Sequence, residues 1–217
     1  MPARRVPACG VECPAPDLAR VCQPGSVAEP ARQTFSFEAY LDLEQVSPVK
    51  HEFLDGQVWA LAGGTPDHAA ISVNVSTLLS TGLRGRPCRV YSSDLRARVL
   101  ATGLGTYPDV TVVCGGPEFD AEDRKQQTVT NPRVIVEVLS PSTAIYDRGE
   151  KLTHYQQIAS LEEIALITHD EQRVDVFRRS AGGWTLHSVT AGSVDLPSIG
   201  LELPLAEIYR NPFGDAT

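Results

Sequence analysis

The apolar positions of this chain follow two periods, and they switch from one to the other at glycines and prolines. Ser36 is placed to cap a short helix over residues 37–41 that ends before Pro48. Residues 50–61 form two runs around Asp55-Gly56, a dipeptide that favours a tight hairpin turn, with Glu52 on the strand entering it. Gly63-Gly64-Thr65-Pro66 breaks the pattern. From about Asp67 to Leu83, Ile71, Val75, Leu78 and Leu79 fall on one helical face, with Gly82 or Gly85 as the stop. Strands are then predicted over 88–100, 109–114 and 134–139, the first two separated by Gly103-Leu104-Gly105. The polar stretch 115–131 is long enough to predict a functional or mobile loop. A helix over about 147–158 follows, then strands over 164–168, 173–178 and 184–189 in a meander. Last comes a segment carrying Leu201, Leu203, Leu205 and Ile208 that can pack back on the domain. This order predicts an α/β (mixed α+β) fold, a mixed sheet flanked by helices.

Residues 1–33 hold six of the sixteen prolines and no apolar period, so they read as a poorly packed or disordered extension. The expected organisation is this extension, one domain over 34–210 and a tail over 211–217. A composition of 42% hydrophobic and 21% charged residues is that of an ordinary soluble protein. No apolar run approaches the ~20 residues of a membrane span. Arg4 and Arg5 are not followed by the apolar core of a signal peptide, so a cytoplasmic protein without a membrane partner is expected. The net charge of −8 opposes non-specific nucleic-acid binding through a basic surface. It does not exclude a nuclease, whose site acids add negative charge that bound metal neutralises. The five cysteines are odd in number and irregularly spaced, and Cys9 and Cys13 lack a second pair to complete a zinc set. Cys88 and Cys114, in or beside strands, read most simply as small core residues.

One residue breaks the apolar pattern in a way that demands a partner. Glu137 sits inside Val134-Ile135-Val136-Glu137-Val138-Leu139, a run that reads as a buried strand. An ionised carboxylate there costs several kcal/mol unless a cation or hydrogen-bond donor meets it. Alternation puts Ile135, Glu137 and Leu139 on one face, and Asp109 shares a face with Thr111 and Val113 on the preceding strand. If the two strands are neighbours, the carboxylates converge on one hard divalent cation such as Mg²⁺, for which Mn²⁺ substitutes. Asp147, Lys151 and Tyr155, spaced i, i+4 and i+8, lie along one helix face that can look back at the strand ends, where Lys151 would hold a water or stabilise phosphate charge. The bland readings are a surface Asp147–Lys151 pair and a strand-start cap at Asp109.

Tyr107-Pro108-Asp109-Val110, then Val136-Glu137-Val138-Leu139-Ser140-Pro141-Ser142-Thr143, then Tyr146-Asp147-Arg148-Gly149-Glu150-Lys151-Leu152 with Tyr155, closely resembles the Uma-type family described as "putative restriction endonuclease", a branch of the PD-(D/E)XK nuclease superfamily. His51-Glu52-Phe53-Leu54-Asp55-Gly56 and Gly63-Gly64-Thr65-Pro66-Asp67-His68 resemble its upstream motifs, and the likeness spans about 34–209. The resemblance implies a restriction-endonuclease-like core and a Mg²⁺-dependent endodeoxyribonuclease, with DNA as partner and a homodimer as a compatible assembly. It implies Asp109 and Glu137 as metal-binding acids, the carbonyl of Val138 as a further ligand, and Glu52 as an added catalytic acid. The lysine usual two residues after the glutamate is Leu139 here, which makes Lys151 the replacement, whereas Lys50 falls outside the set. His68, Tyr155 and Arg148 are candidates for substrate contact, although a helix-start histidine, a packing tyrosine and a solvated arginine are simpler. An inactive nuclease fold that binds nucleic acid or protein, and a hydrolase of small phosphoesters, are the alternatives.

Overall fold

The computed structural model describes residues 34–61, 63–140 and 144–214, so the expected extension over 1–33 lies outside the described residues. Ser36 Oγ accepts from Ala39 N at 3.1 Å and starts α1 (Phe37–Val46), longer than its apolar face alone predicts. Strands β1 (His51–Leu54) and β2 (Gln57–Ala60) make the hairpin, with φ of +48° at Asp55 and +78° at Gly56, the left-handed pair that a two-residue turn requires. Helix α2 (Pro66–Gly82) is capped by Thr65 and buries Ile71, Val75 and Leu79.

The single strand predicted over 88–100 is two, β3 (Cys88–Ser92) and β4 (Arg96–Val99), and they join different sheets. Between them Ser92 Oγ accepts from Asp94 N at 3.3 Å and Leu95 N donates to Ser92 O at 3.1 Å, a local turn that competes with the ladder. Short β5 (Leu104–Thr106) falls where a glycine-bounded break was expected, and β6 (Val110–Cys114) follows. The stretch 115–131 is not a free loop. It contains β7 (Thr128–Val129), paired parallel with β4, and the buried Asp120 and Asp123 accept from Glu122 N, Lys125 N and Gln127 N. Cys88 and Cys114 also depart from expectation. They face each other across β3 and β6 and form a disulfide, a pairing that spacing among five cysteines does not reveal.

Strand β8 (Val134–Leu139) leads through α3 (Ala144–Tyr146), a π-helical turn (Asp147–Lys151) and α4 (Leu152–Tyr155) to β9 (Glu163–Thr168), which lies parallel to it. The helical segment thus starts before the predicted Asp147 and ends before Ile158. Strands β10 (Arg173–Ser180) and β11 (Gly183–Val189) continue as an antiparallel meander, and β12 (Ser193–Leu196) pairs with β13 (Leu201–Pro204) ahead of α5 (Leu205–Ile208).

The fold is therefore mixed α+β, with a six-stranded sheet ordered β11-β10-β9-β8-β6-β3 and a five-stranded sheet ordered β2-β1-β5-β4-β7. Strand β8 is buried along its whole length because both sheet faces are covered, which explains its unbroken apolar run. Val134, Val136 and Val138 pack with α2, β13 and α5, whereas Ile135 and Leu139 pack with Leu152, Tyr155 and Leu104 on the other side. The alternation read from the sequence is the alternation observed, and it aims Glu137 at the side where the helical crossover and the five-stranded sheet meet.

Candidate active site

Strands β6 and β8 are antiparallel neighbours, with Val110 opposite Val136 and Thr111 opposite Ile135. That register brings Asp109, just before β6, beside Glu137 near the end of β8. Asp109 N donates to Glu137 Oε2 at 3.2 Å, and Asp109 Oδ2 accepts from Val138 N at 2.7 Å. Two carboxylates are thus pinned against each other by backbone amides of the opposite strand. His68, in the first turn of α2, places Nε2 3.1 Å from Asp109 Oδ2. This hydrogen bond raises the His68 pKa above its ordinary value, against the opposing effect of burial.

The π-helical turn supplies the cation. Extra-wide turns of this kind are frequent at functional sites, and here both Asp147 and Lys151 are buried. Lys151 Nζ lies 2.9 Å from Glu137 Oε1, 3.0 Å from Glu52 Oε1 and 3.5 Å from Asp147 Oδ1. Burial alone would lower its pKa, but the Glu137 carboxylate, with Tyr155, Glu52 and Asp147, holds it well above the ordinary lysine value. Tyr155 OH donates to Glu137 Oε1 at 2.5 Å from inside the core. Burial pushes the Glu137 carboxyl up to about 8; Lys151 opposes this, and Asp109 and Asp147 add to it. The Lys151 ammonium thus meets three carboxylates, and His68 meets the fourth, Asp109.

Glu52, expected as a catalytic acid, is 1% exposed, accepts from Thr106 Oγ1 and touches the site through Lys151. Its carboxylate lies against the Lys151 ammonium at 3.0 Å. Arg148 points away from the site, with Nη1 2.5 Å from Asp175 Oδ2 and Nη2 3.0 Å from Thr168 Oγ1. Lys50, placed outside the set by sequence, lines the same cleft and pairs with Asp94 Oδ1 at 2.7 Å. The cleft has a volume of about 420 Å³, and its walls include His68, Asp109, Glu137, Val138, Asp147 and Lys151. Sequence reasoning missed Thr106 and the buried Glu44, which accepts from Tyr107 OH at 2.5 Å behind the cleft wall. Neither carries a local signal, because Thr106 meets Glu52 from a neighbouring strand and Glu44 meets Tyr107 from helix α1, both far apart in the chain.

Among the described residues no group of three or more His, Cys, Asp and Glu side chains is arranged as a metal cage. Of the three carboxylates lining the cleft, Asp147 lies against Lys151, which leaves Asp109 and Glu137 as the pair joined across β6 and β8. Asp109 Oδ1 accepts no hydrogen bond from the described residues and Glu137 Oε2 accepts one. That set fits Mg²⁺, which binds through one or two carboxylates and keeps water and phosphate oxygens as its other ligands.

Residues 37–206 match the family Uma2, whose description is "Putative restriction endonuclease". The uncharacterized protein slr1290 of Synechocystis sp. is 39% identical over 176 residues, covering 80% of this chain and 90% of its own. A second Synechocystis protein, the uncharacterized sll1609, is 34% identical over 140 residues, covering 64% of this chain and 78% of its own. The crystal structure of a "putative nuclease belonging to DUF820" from Anabaena variabilis superposes with a TM-score of 0.63 at 20% identity, covering 78% of this chain and 96% of that one. At that identity the likeness is one of fold. Among the described residues no helix is long and apolar enough to cross a membrane.

Proposed function

Because the chain belongs to the Uma2 family of restriction-endonuclease-like proteins, we propose that it is a metal-dependent endonuclease that hydrolyses DNA phosphodiester bonds at the Asp109–Glu137 cleft. The observation that carries this reading is the meeting of Asp109, Glu137 and Lys151 at one end of β6 and β8, in an open cleft, with Lys151 Nζ 2.9 Å from Glu137 Oε1. Asp109 and Glu137 would hold Mg²⁺, with the Val138 carbonyl as the further oxygen. When bound, the ion supplies charge neutralisation on the scissile phosphate and a water of lowered pKa.

The protein's own groups do the rest. Glu52, Glu137 and Asp147 fix the Lys151 ammonium at the cleft wall, so it meets developing negative charge without reorganising. The lysine thereby takes the place of the residue that the superfamily carries two positions after the glutamate. Val138 N and His68 fix Asp109, and the Tyr155 hydroxyl fixes Glu137, so both carboxylates are oriented before substrate arrives. DNA approaches from the open side, where His68 and Lys50 flank the acids.

Calorimetric titration with Mn²⁺ tests the reading. The wild type should bind the ion and Glu137→Gln should not; equal affinity in the two proteins would remove Glu137 from the site.

A further inference from the structure

A second groove, of about 650 Å³, runs along α2 from His68 to Arg84 and is flanked by Ser92 and Ser93. It shares His68, Asp109 and Ser93 with the cleft described above, so the two are continuous. Its lining is unusual for this chain. Ser72, Ser76 and Ser80 stand four residues apart on one flank of the helix, next to the buried Ile71, Val75 and Leu79. The hydroxyls of Ser76 and Ser80 and the guanidinium of Arg84 have no partner among the described residues. Although the protein carries a net charge of −8, the only acidic residue on this lining is Asp109.

Hydroxyls and a guanidinium are the donors that bind phosphate and sugar oxygens, and such contacts fix register without reading sequence. From Ser72 to Gly82 the helix rises about 15 Å, the axial length of roughly four nucleotides of a duplex strand. Continuity with the cleft means that whatever lies in the groove is delivered to Asp109. We infer that this groove holds the sugar-phosphate backbone of one DNA strand and leads it to the proposed catalytic acids; the inference rests on the nuclease reading above.

The test is binding of a fluorescein-labelled DNA duplex, and of its single strand, to the full-length protein in Ca²⁺, followed by anisotropy across a range of salt. Arg84→Glu and Ser80→Glu are the groove variants, and Arg124→Glu is the control, an exposed arginine outside the groove lining. Each groove variant should weaken binding by about tenfold, and Arg84→Glu should lower the log–log salt slope by about one. Melting temperature and Mn²⁺ affinity should stay as in the wild type. A control that weakens binding as much as the groove variants overturns the groove assignment and leaves the nuclease reading standing. So does wild-type binding that the groove variants retain. A wild type that binds DNA through the groove but cleaves none keeps the groove and sinks the nuclease reading, while one that binds no DNA overturns both.

Discussion

Lys151 Nζ and Glu137 Oε1 sit 2.9 Å apart, both almost fully buried, although one comes from a helical turn and the other from the centre of a sheet. Each explains the other. The strand tolerates a carboxylate because the ammonium meets it, and the ammonium is held in the interior because three carboxylates surround it.

Lys151→Ala should lower DNA cleavage by about 10²–10³-fold, the range for loss of one preorganised electrostatic group, while Mn²⁺ affinity falls little. The same substitution strands buried carboxylates, so stability should drop by about 3–5 kcal/mol, and cleavage must be measured below the lowered melting temperature. Lys151→Arg should not restore cleavage, because a planar guanidinium cannot replace a compact ammonium among these oxygens. Wild-type rates for Lys151→Ala on the same DNA would end the idea of a relocated lysine.

The metal-free protein should lose stability as pH rises. Burial lifts Glu137 from an ordinary 4.5 to about 8, so between those values the folded state holds a proton that the unfolded state has released. Unfolding free energy therefore falls with pH across that window, and the contribution is whole below about 4.5 and gone above about 8. Glu137→Gln should flatten this dependence. Melting curves of both proteins at several pH values, in chelator, isolate the effect from that of Glu163, whose pKa is also raised by burial. Parallel curves would show that Glu137 does not titrate as described.

Tyr155→Phe removes the hydroxyl that donates to Glu137 Oε1 at 2.5 Å and keeps the ring in the core. Above about pH 8, where the Glu137 carboxyl is ionised, a cost of about 1.5–3 kcal/mol follows for a hydrogen bond to a charged group, with weaker Mn²⁺ binding because the carboxylate is no longer oriented. Denaturant unfolding and calorimetry read the two effects, and a variant unchanged in both would make Tyr155 a packing residue only.

Much of this arrangement is legible in the sequence, and the parts that are not have a common cause. Glu137 announces itself because a lone acid in a Val/Ile run has no cheap explanation, and strand alternation then gives its face. Asp109 follows only if β6 and β8 are neighbours, a pairing that register shows and sequence does not. The helix carrying Lys151 is visible by spacing, whereas the π-helical turn that carries the buried lysine is not, since it widens one turn without changing the apolar pattern. The split of residues 88–100 into two strands turns on side-chain bonds of Ser92 and Asp94 that local propensity does not weigh. The Cys88–Cys114 bond likewise depends on the β3–β6 register.

That bond yields a separate expectation. Replacing Cys88 and Cys114 together by alanine releases a loop of sequence separation 26 and should cost about 2–4 kcal/mol. Cleavage should be unaffected, because Cys114 ends β6 whereas Asp109 precedes its first residue, at the opposite end of the strand. Unchanged melting in reducing and oxidising buffer would contradict the pairing.

Conversion of supercoiled plasmid to nicked or linear DNA, compared between wild type and Asp109→Asn at saturating Mg²⁺ or Mn²⁺, reads the proposed site itself. Wild type should cleave, and cleavage should stop in chelator and be lost in Asp109→Asn, with both proteins folded. Equal cleavage by the two, or none by a folded wild type with either metal, would contradict the proposed site.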